Sequence, residues 1–400
     1  MNHLDLITMQ EAIDLLEVSR STIDRWRKFK RLPFIKIGKE IYFHKEEIQQ
    51  WVRQHSKVHE PIDENRIDQT IRMTTPDTIT IGYQSQTAHM WSPLLMKKLG
   101  FFEEELAELN PTRPLQINWI NAKNGLELIE GMIAGQIQIA SLGDYPIMIG
   151  HQLSTIFPNF NPVLLAFDGK TSQSEGISLV IPKDLHFHDV TDLHGHTLAT
   201  VTNSSAGHRL NRLLSGINAT CEVINQDMNL SYSNIIERGV GVSVMWEPYV
   251  SLSELQGAAT MHFDGFTDDY LTGLVALDHW AQLNDDIVIA YLKAHMRTHQ
   301  FAREYPLKAA KLLSELTGIS HRVTTSIVSK VRWDAAVYKQ DLETLKNLSI
   351  TDQSFTRNVT GSKGCIPYRG YYLNEASKRL QLTSVSDRPL EGDWSLDYLY

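Results

Sequence analysis

The chain has 400 residues, of which 42% are hydrophobic, enough to form more than one sizeable core and too many for a disordered protein. The formal net charge is −9, no apolar run is long enough to span a membrane, and the first residues lack the basic and apolar regions of a secretory signal, so we expect a cytoplasmic protein. Only Cys221 and Cys365 are present, which excludes a disulfide framework and a cysteine-based metal site.

The N-terminal residues predict a small domain of helices and a hairpin. A first helix begins behind a capping box formed by Thr8 and Glu11, and its apolar residues recur at helical spacing. Two short extended runs flank Gly38 and Lys39, which predicts a hairpin. The predicted helices cover residues 9–16, 21–30 and 45–54. Together these elements predict a winged helix-turn-helix domain over residues 1–58.

This small domain carries positive charge, although the chain as a whole is acidic. Between Arg20 and Lys39 only Asp24 opposes the basic residues, which are Arg20, Arg25, Arg27, Lys28, Lys30, Arg31, Lys36 and Lys39. A basic module on an acidic body is typical of a nucleic-acid-binding domain joined to a domain of another function.

The N-terminal domain resembles the excisionase and MerR-like winged-helix family. The resemblance is carried by Ile7 to Ala12, Leu15-Leu16, Val18 to Ile23, Arg25-Trp26, Leu32-Pro33, Ile37 to Lys39 and Trp51. It implies that the second helix lies in the major groove of DNA, where Ser21, Thr22 and Arg25 face base edges. Arg20, Lys28 and Lys39 are then placed for phosphates. The alternative is a winged helix used for protein contacts. Asp24 in the reading helix departs from the pattern, and it either reads cytosine or repels misplaced phosphates.

Beyond a polar linker at residues 59–76, extended and helical runs alternate, which predicts an α/β domain with a largely parallel sheet over residues 77–350. The alternation starts again near residue 197, so we expect two lobes, the second at about 182–272. Ile177–Ile181 and Leu274–Leu277 are candidates for the strands that cross between the lobes. Residues 351–400 are expected to be an irregular C-terminal extension.

The two-lobed part resembles the periplasmic substrate-binding proteins of ABC importers, in the group for aliphatic sulfonates, taurine and nitrate that also includes a thiamine-pyrimidine synthase branch. The residues that carry it are Ile81 to Gln84, Leu99 to Phe102, Gly131 to Ile139, Gly143 to Pro146, Asp192 to Thr197 and Trp246 to Tyr249. The resemblance implies a type 2 periplasmic-binding-protein-like fold with a ligand between two hinged lobes. The alternative is a fold that has degenerated into a scaffold.

The loop from Thr202 to Gly207 leads directly into a predicted helix and is rich in hydroxyls. Backbone N–H groups and the helix dipole at such a loop bind small anions, although Ser204 or Ser205 can equally be an ordinary N-cap. The candidate ligand-binding residues are Gln84, Ser85, His89, Trp91, Gly143, Asp144, Thr202, Asn203, Ser204, Ser205, Asp227, Trp246 and Glu247. Asp144 and Glu247 also have the alternative of capping turns or binding across the hinge.

Four histidines between His186 and His196 lie close in sequence, the others being His188 and His194. Neutral imidazoles can chelate zinc or nickel, but no cysteine or glutamate completes a closed site there, so we expect solvated side chains and no metal. No phosphate-binding loop, dinucleotide fingerprint or nucleophile elbow occurs, and Cys365 is a lone thiol. We expect no cofactor.

These features favour a one-component transcriptional regulator that binds DNA, binds a small anion between its lobes, and acts as a homodimer. One alternative is a cytoplasmic enzyme on the binding-protein fold, with His89 or His208 as acid or base and Cys365 as nucleophile. Another is a solute-binding protein of an importer, which the missing signal sequence opposes.

Overall fold

In the computed structural model, one β-sheet lies near the N-terminus and two lie in the larger remainder of the chain. The described residues are 6–16, 18–29, 32–37, 40–45, 47–48, 51, 78–112, 115–172, 175–217, 220–261, 269–350, 364–383 and 385–395. The predicted linker at 59–76 lies outside them. Within these ranges no helix has both the length and the apolar character needed to cross a membrane.

Among its described residues, the N-terminal domain contains two complete helices packed on a three-stranded sheet, and the predicted third helix at 45–54 lies mostly outside them. Its elements are β1 Leu6–Thr8, α1 Met9–Leu16, α2 Arg20–Phe29, β2 Ile35–Ile37 and β3 Glu40–His44. The strands lie in the order β1-β3-β2 with both pairs antiparallel, so β2 and β3 form the predicted hairpin. The capping box forms: the Thr8 N–H donates to Glu11 Oε2 over 2.7 Å, and the Glu11 N–H donates to Thr8 Oγ1 over 3.2 Å. Ala12, Ile23 and Phe43 are fully buried in the core.

The remainder of the chain alternates strands and helices. Its strands are β4 Thr78–Tyr83, β5 Gln116–Asn121, β6 Ile139–Gly143, β7 Pro162–Thr171, β8 Ile177–Ile181, β9 Thr197–Thr200, β10 Glu222–Asn225, β11 Val242–Trp246, β12 Ala259–Met261, β13 Tyr270–Leu277 and β14 Arg332–Trp333. Its helices are α3 Ser92–Leu99, α4 Phe101–Leu109, α5 Gly125–Ile133, α6 Asp144–Leu153, α7 Ser205–Ile217, α8 Met228–Glu237, α9 Tyr249–Leu255, α10 Asp278–Leu283, α11 Asp285–Glu304, α12 Pro306–Thr317, α13 His321–Lys330, α14 Lys339–Ile350 and α15 Gly370–Arg379.

The first lobe is built on a six-stranded sheet in the order β14-β7-β13-β6-β4-β5. Strand β4 runs parallel to β5 and β6, as the alternation predicts. The sheet as a whole is mixed, because β13 enters between β6 and β7 and is antiparallel to both. Strand β13 follows the second lobe in the chain and enters the first sheet from the opposite end. Its antiparallel direction cannot be predicted from the local sequence pattern.

The second lobe is built on a five-stranded sheet in the order β10-β9-β11-β8-β12. Strand β9 is parallel to β10 and β11, whereas β8 is antiparallel to β11 and β12. Its core is apolar: Leu198, Leu210 and Val244 are fully buried.

The crossings between the lobes differ from the sequence expectation. Ile177–Ile181 is β8, a strand of the second sheet, and Leu274–Leu277 belongs to β13 of the first sheet. The chain therefore crosses after β7 and before β13, and the second sheet spans residues 177–261 instead of 182–272. Each of these segments is paired with a strand on both sides, β8 with β11 and β12 and β13 with β6 and β7.

The C-terminal residues 364–395 are part of the first lobe rather than an irregular extension. Helix α15 forms there, and its apolar residues Tyr372, Leu373 and Ala376 are buried in the same core as α11. The Leu164 N–H donates to the carbonyl of Pro367, so this segment also hydrogen-bonds to β7. The three apolar residues recur at helical spacing, which is the signal that predicts the helix.

Candidate functional site

The surface of α2 is the candidate DNA-reading face. Arg20 and Asp24 are exposed, and the side chain of Thr22 is half-buried. The Thr22 hydroxyl lies 3.0 Å from that of Ser19, whose Oγ also accepts the Thr22 N–H, so Thr22 takes part in the helix cap. The candidate side chains of Ser21, Arg25, Lys28 and Lys39 lie outside the described residues.

Asp24, the departure from the family pattern, forms an intrahelical ion pair. Its carboxylate lies 2.6 Å from Arg27 Nη1, and the Arg27 guanidinium lies 4.1 Å from the centre of the Phe34 ring. Asp24 therefore holds Arg27 against the hairpin, and its geometry has an explanation that needs no base contact.

The hydroxyl-rich loop before α7 behaves as a helix cap. Ser204 Oγ accepts the Gly207 N–H over 3.1 Å and donates to the carbonyl of Val201 over 2.6 Å. Thr202 and Asn203 are exposed, and the Thr202 N–H donates to Asn225 Oδ1. The Ser204 hydroxyl is thus engaged within the loop, and the attraction for an anion rests on the helix dipole.

The starts of α6 and α7 face each other between the lobes. The Tyr145 N–H donates to Ser205 Oγ over 3.4 Å, and the Tyr145 ring stacks on the imidazole of His208 with centres 4.5 Å apart. A Cβ on Gly143 would lie 2.9 Å from Ser205 Oγ, so the absence of a side chain there permits the approach. This contact defines the interlobe cleft.

A buried ion pair crosses the cleft beside this contact. Asp144 of the first lobe accepts two bonds from Arg209 of the second: Nη2 to Oδ2 at 2.8 Å and Nη1 to Oδ1 at 3.3 Å. The side chain of Asp144 is 0% exposed and that of Arg209 is 4% exposed. The bidentate geometry fixes both partners, and Arg209 also donates to the carbonyls of Ser205 and Asp269.

Sequence reasoning missed Arg209. The available signal is its position four residues after Ser205, on a helix face whose other members, Ala206, Leu210 and Leu213, are apolar. A charge within such a face usually has a partner when it is buried.

A second ion pair joins the lobes at Glu247. Lys330 of α13 lies 3.2 Å from Glu247 Oε1, and both the N–H and the hydroxyl of Ser251 donate to the same carboxylate. Burial raises the pKa of Glu247 above its ordinary value, while Lys330 acts in the opposite direction. Nearby, Trp246 Nε1 donates to the carbonyl of Gln86, and the Ala88 N–H donates to the carbonyl of Glu247. Asp144 and Glu247 each form an ion pair with a residue of the other lobe, as the alternative of binding across the hinge expects.

His89 is fully buried beside the cleft. Its Nε2 lies 3.0 Å from the hydroxyl of Thr171, and its ring meets the edge of Tyr270 with centres 4.6 Å apart. Its Nδ1 has no hydrogen-bond partner among the described residues. Burial lowers the pKa of His89 to about 3, so the ring is neutral. Gln84, also buried, donates to the sulfur of Met90.

Three candidate residues lie outside the cleft contacts. Trp91 is fully buried in a hydrophobic core with Leu95 and Leu313, and its Nε1 donates to the carbonyl of Ser85. Ser85 itself bonds to Asn121 within the first lobe. Asp227 is the exposed N-cap of α8 and accepts the Leu230 N–H. An aromatic residue after a strand and an acidic residue before a helix are as readily explained by packing and capping as by ligand binding.

The loop histidines considered for metal binding and the thiol considered as a nucleophile lack the arrangement that either role needs in the described part of the chain. His186, His188 and His194 are exposed, and no metal-competent group forms from them among the described residues. Cys365 donates to the carbonyl of Leu342, and burial raises its pKa to about 11, which disfavours the nucleophilic thiolate.

Comparison with known proteins finds different relatives for the N-terminal domain and for the two-lobed remainder of the chain. Residues 6–56 match the model of the helix-turn-helix domain family. The "putative aliphatic sulfonates-binding proteins" of Bacillus subtilis and Escherichia coli are both 24% identical to this chain, over 256 and 262 residues. These matches cover 62% and 63% of this chain and 73% and 76% of the relatives.

Solved structures share the two-lobed fold. The periplasmic aliphatic sulphonate binding protein SsuA of Escherichia coli superposes with a TM-score of 0.56 at 18% identity, covering 68% of this chain and 90% of its own. The periplasmic nitrate-binding protein NrtA of Synechocystis gives a TM-score of 0.58 at 14% identity, covering 77% and 90%. The chain therefore joins an N-terminal helix-turn-helix domain to a domain with the periplasmic-binding-protein fold that is homologous to sulfonate-binding proteins.

Proposed function

We propose that this protein is a one-component transcriptional regulator that binds DNA through its N-terminal domain and senses a small anionic metabolite between its two lobes. The observation that carries the proposal is the presence, in one chain, of a helix-turn-helix domain and a domain homologous to sulfonate-binding proteins. The first suggests DNA binding and the second suggests small-molecule binding. A DNA reader acts where the DNA is, so we place the protein in the cytoplasm.

On the DNA side, we assign base contacts to Ser21, Thr22 and Arg25 and phosphate contacts to Arg20, Lys28 and Lys39. The exposure of Arg20 on α2 is consistent with this assignment. A single domain of this size binds weakly, so we expect a homodimer and an operator that shares its twofold symmetry.

On the ligand side, the proposed pocket lies where α6 and α7 face each other. Among the residues expected from the sequence, we retain Gln84, His89, Gly143, Asp144, Thr202, Asn203, Ser204, Ser205, Trp246 and Glu247, and we add Arg209. The α7 dipole and the Arg209 guanidinium attract a negative group such as the sulfonate of a taurine-like molecule or nitrate. The relatives support this class of ligand, because two are named for sulfonates and one for nitrate.

The proposed signal is a change in the angle between the lobes. A ligand that interacts with Arg209 competes with Asp144, and one that binds both lobes stabilises their contact. Because binding and DNA affinity are then coupled, the coupling is reciprocal. A tenfold effect of ligand on DNA affinity corresponds to about 1.4 kcal/mol and must appear equally in the ligand affinity when DNA is present.

The test measures DNA affinity of the full chain at fixed salt, using DNA fragments that the chain itself selects from a random pool. Taurine, ethanesulfonate and nitrate are added separately at saturating concentration. We expect at least one of them to change the affinity, and we expect the Arg20→Ala, Arg25→Ala double variant to lose binding while its large domain unfolds at an unchanged temperature.

The matched control replaces two exposed basic residues of the first lobe, Lys311→Ala and Arg322→Ala, and should bind DNA normally. Undiminished DNA binding by the Arg20, Arg25 variant contradicts the DNA assignment. Equal DNA affinity with and without a ligand that demonstrably binds contradicts the regulator.

A further inference from the structure

The interior of the first lobe contains a cluster of metal-ligating side chains that the proposed function does not use. Asp168 lies on β7, and His295 and His299 lie one turn apart on α11. All three side chains are fully buried. One ligating atom from each lies within 4.8 Å of the other two, and no other such group occurs in the part of the chain that the structure describes.

The hydrogen bonds of His295 fix its ring tautomer, and His299 bonds directly to Asp168. His295 Nε2 lies 2.9 Å from the carbonyl of Phe167, which can only accept, so Nε2 carries the proton and Nδ1 is the nitrogen with the lone pair. That Nδ1 is 3.4 Å from the hydroxyl of Ser92. His299 Nε2 lies 3.1 Å from Asp168 Oδ1. A backbone carbonyl that fixes the ring tautomer is typical of histidines that bind metals.

The charges of the cluster also suit a cation. Asp168 forms no ion pair with a lysine or arginine among the described residues; its carboxylate accepts hydrogen bonds from the Ser141 hydroxyl over 3.2 Å and from His299 Nε2 over 3.1 Å. A buried carboxylate near neutral ligands is costly unless a positive charge compensates it.

Tyr291 provides a second, independent observation. It lies one turn before His295 on α11, with the two rings nearly parallel at 12° and their centres 6.3 Å apart. Its hydroxyl is buried and has no hydrogen-bond partner among the described residues. An orphaned hydroxyl beside the cluster fits a water molecule bound to a metal.

We propose that Asp168, His295 and His299 bind a divalent transition-metal ion of the zinc type through one carboxylate oxygen and two imidazole nitrogens. Two nitrogen ligands favour zinc over magnesium or calcium, which prefer oxygen. Coordination through His299 Nε2 requires the ring proton to reside on Nδ1, and protons compete with the ion for all three ligands, so binding weakens in acid. Because the ligands come from β7 and α11, the ion ties the helix to the sheet and has a structural role.

The test uses the full chain with any purification tag removed, dialysed against a chelator and then supplied with zinc chloride. Bound zinc is counted by mass spectrometry after gel filtration, and the unfolding temperature is recorded with zinc, with magnesium and without metal. We expect about one zinc per chain and a higher unfolding temperature with zinc alone, because a ligand of the folded state stabilises it. Asp168→Asn and the His295→Gln, His299→Gln double variant should lose both effects.

The matched control replaces two exposed histidines, His186→Gln and His188→Gln, and should retain the zinc. Loss of zinc in this control, or zinc retained by the Asp168 and His295, His299 variants, overturns the assignment. If those variants do not fold, cobalt is added to the unmodified chain: visible bands of a low-symmetry site with nitrogen ligands support the proposal. Their absence, like the absence of bound zinc, refutes it.

Discussion

The two lobes differ in where they bury charged side chains. The first lobe buries titratable groups deep between sheet and helices, and Asp168, Lys170, His295, His299 and Asp341 are all fully buried there. The core of the second lobe is apolar, and the buried ionic groups on its elements, Arg209 and Glu247, meet partners from the first lobe. In the second lobe, burial of charge therefore coincides with the cleft.

This difference predicts how much stability each lobe loses when a buried residue is substituted. An apolar core loses stability in proportion to the atoms removed and the cavity left behind. A buried ion pair loses more when one partner is removed, because the other charge remains without compensation. Substitutions matched between the lobes test this distinction.

The largest effect is expected at Lys170. Its Nζ donates to Asp341 Oδ2 and to the carbonyl of Ala336, each over 2.7 Å, and both side chains of the ion pair are 0% exposed. Lys170→Ala leaves the Asp341 carboxylate buried and without its cation, so we expect a loss of about 3–5 kcal/mol in unfolding free energy. Urea unfolding monitored by tryptophan fluorescence measures it. Lys378→Ala, which removes an exposed pair with Glu375, is the control; equal losses in the two variants would contradict the prediction.

A smaller loss is expected from the apolar core of the second lobe. Leu210 is fully buried in that core. Leu210→Ala removes buried methyl groups and leaves a cavity, at a cost of about 2–5 kcal/mol. The same unfolding experiment measures it, with Leu230→Ala as the control because that side chain is 47% exposed. A loss below about 1 kcal/mol would show that this core collapses around the cavity.

At the cleft we expect an effect of pH. Burial lowers the pKa of His89 to about 3, with Asp144 acting to raise it and Arg209 to lower it further. Below pH 6.5, the ordinary pKa, His89 is protonated in the unfolded chain but stays neutral in the folded chain. The unfolding free energy therefore decreases as the pH is lowered, by about 1.4 kcal/mol per pH unit for this group. Between pH 6.5 and 5.0, His89→Gln should therefore lose about 2 kcal/mol less than the unmodified chain.

The measurement is the urea unfolding free energy of both chains at the two pH values. His321→Gln, at an exposed position, should keep the full pH dependence. If His89→Gln also keeps it, His89 is protonated in the folded chain and the cleft is more open to water than its burial indicates.

The smallest effect is expected at the exposed pair of Arg238 and Asp184 in the second lobe. These side chains are 71% and 53% exposed, so water and salt screen the pair. Arg238→Ala should change the unfolding free energy by less than about 1 kcal/mol, measured in the same way. A loss comparable to that of Lys170→Ala would remove the distinction between buried and exposed charge on which the comparison rests.

Local patterns predicted the N-terminal domain and the alternation of the body correctly. The capping box at Thr8 and Glu11 and the apolar spacing over Met9–Leu16 act within one or two helical turns, so they can be recognised in a linear sequence. The same holds for the hairpin around Gly38. Resemblance extended this to the type of fold, which the solved structures confirm.

Local patterns failed where distant segments meet. The sequence expected a separate C-terminal extension, but Trp394 Nε1 donates to Asp341 Oδ1 and α15 packs with α11 inside the first lobe. It also assigned Trp91 to the pocket, although an aromatic residue after a strand has the same local signature in a core as in a binding site.

The sequence by itself determined which segments are helices and strands and where positive charge accumulates, because these properties depend on neighbours within a few residues. Only the tertiary structure decided which charges meet. Asp144 and Arg209 are 65 positions apart and Lys170 and Asp341 are 171 apart. Asp168 reaches His295 and His299 because both histidines of α11 hydrogen-bond to residues of β7. Strand order and helix packing determine which residues meet at such separations. The entropy of closing the intervening chain also depends on its length, and neither property can be read from the local periodicity of the sequence.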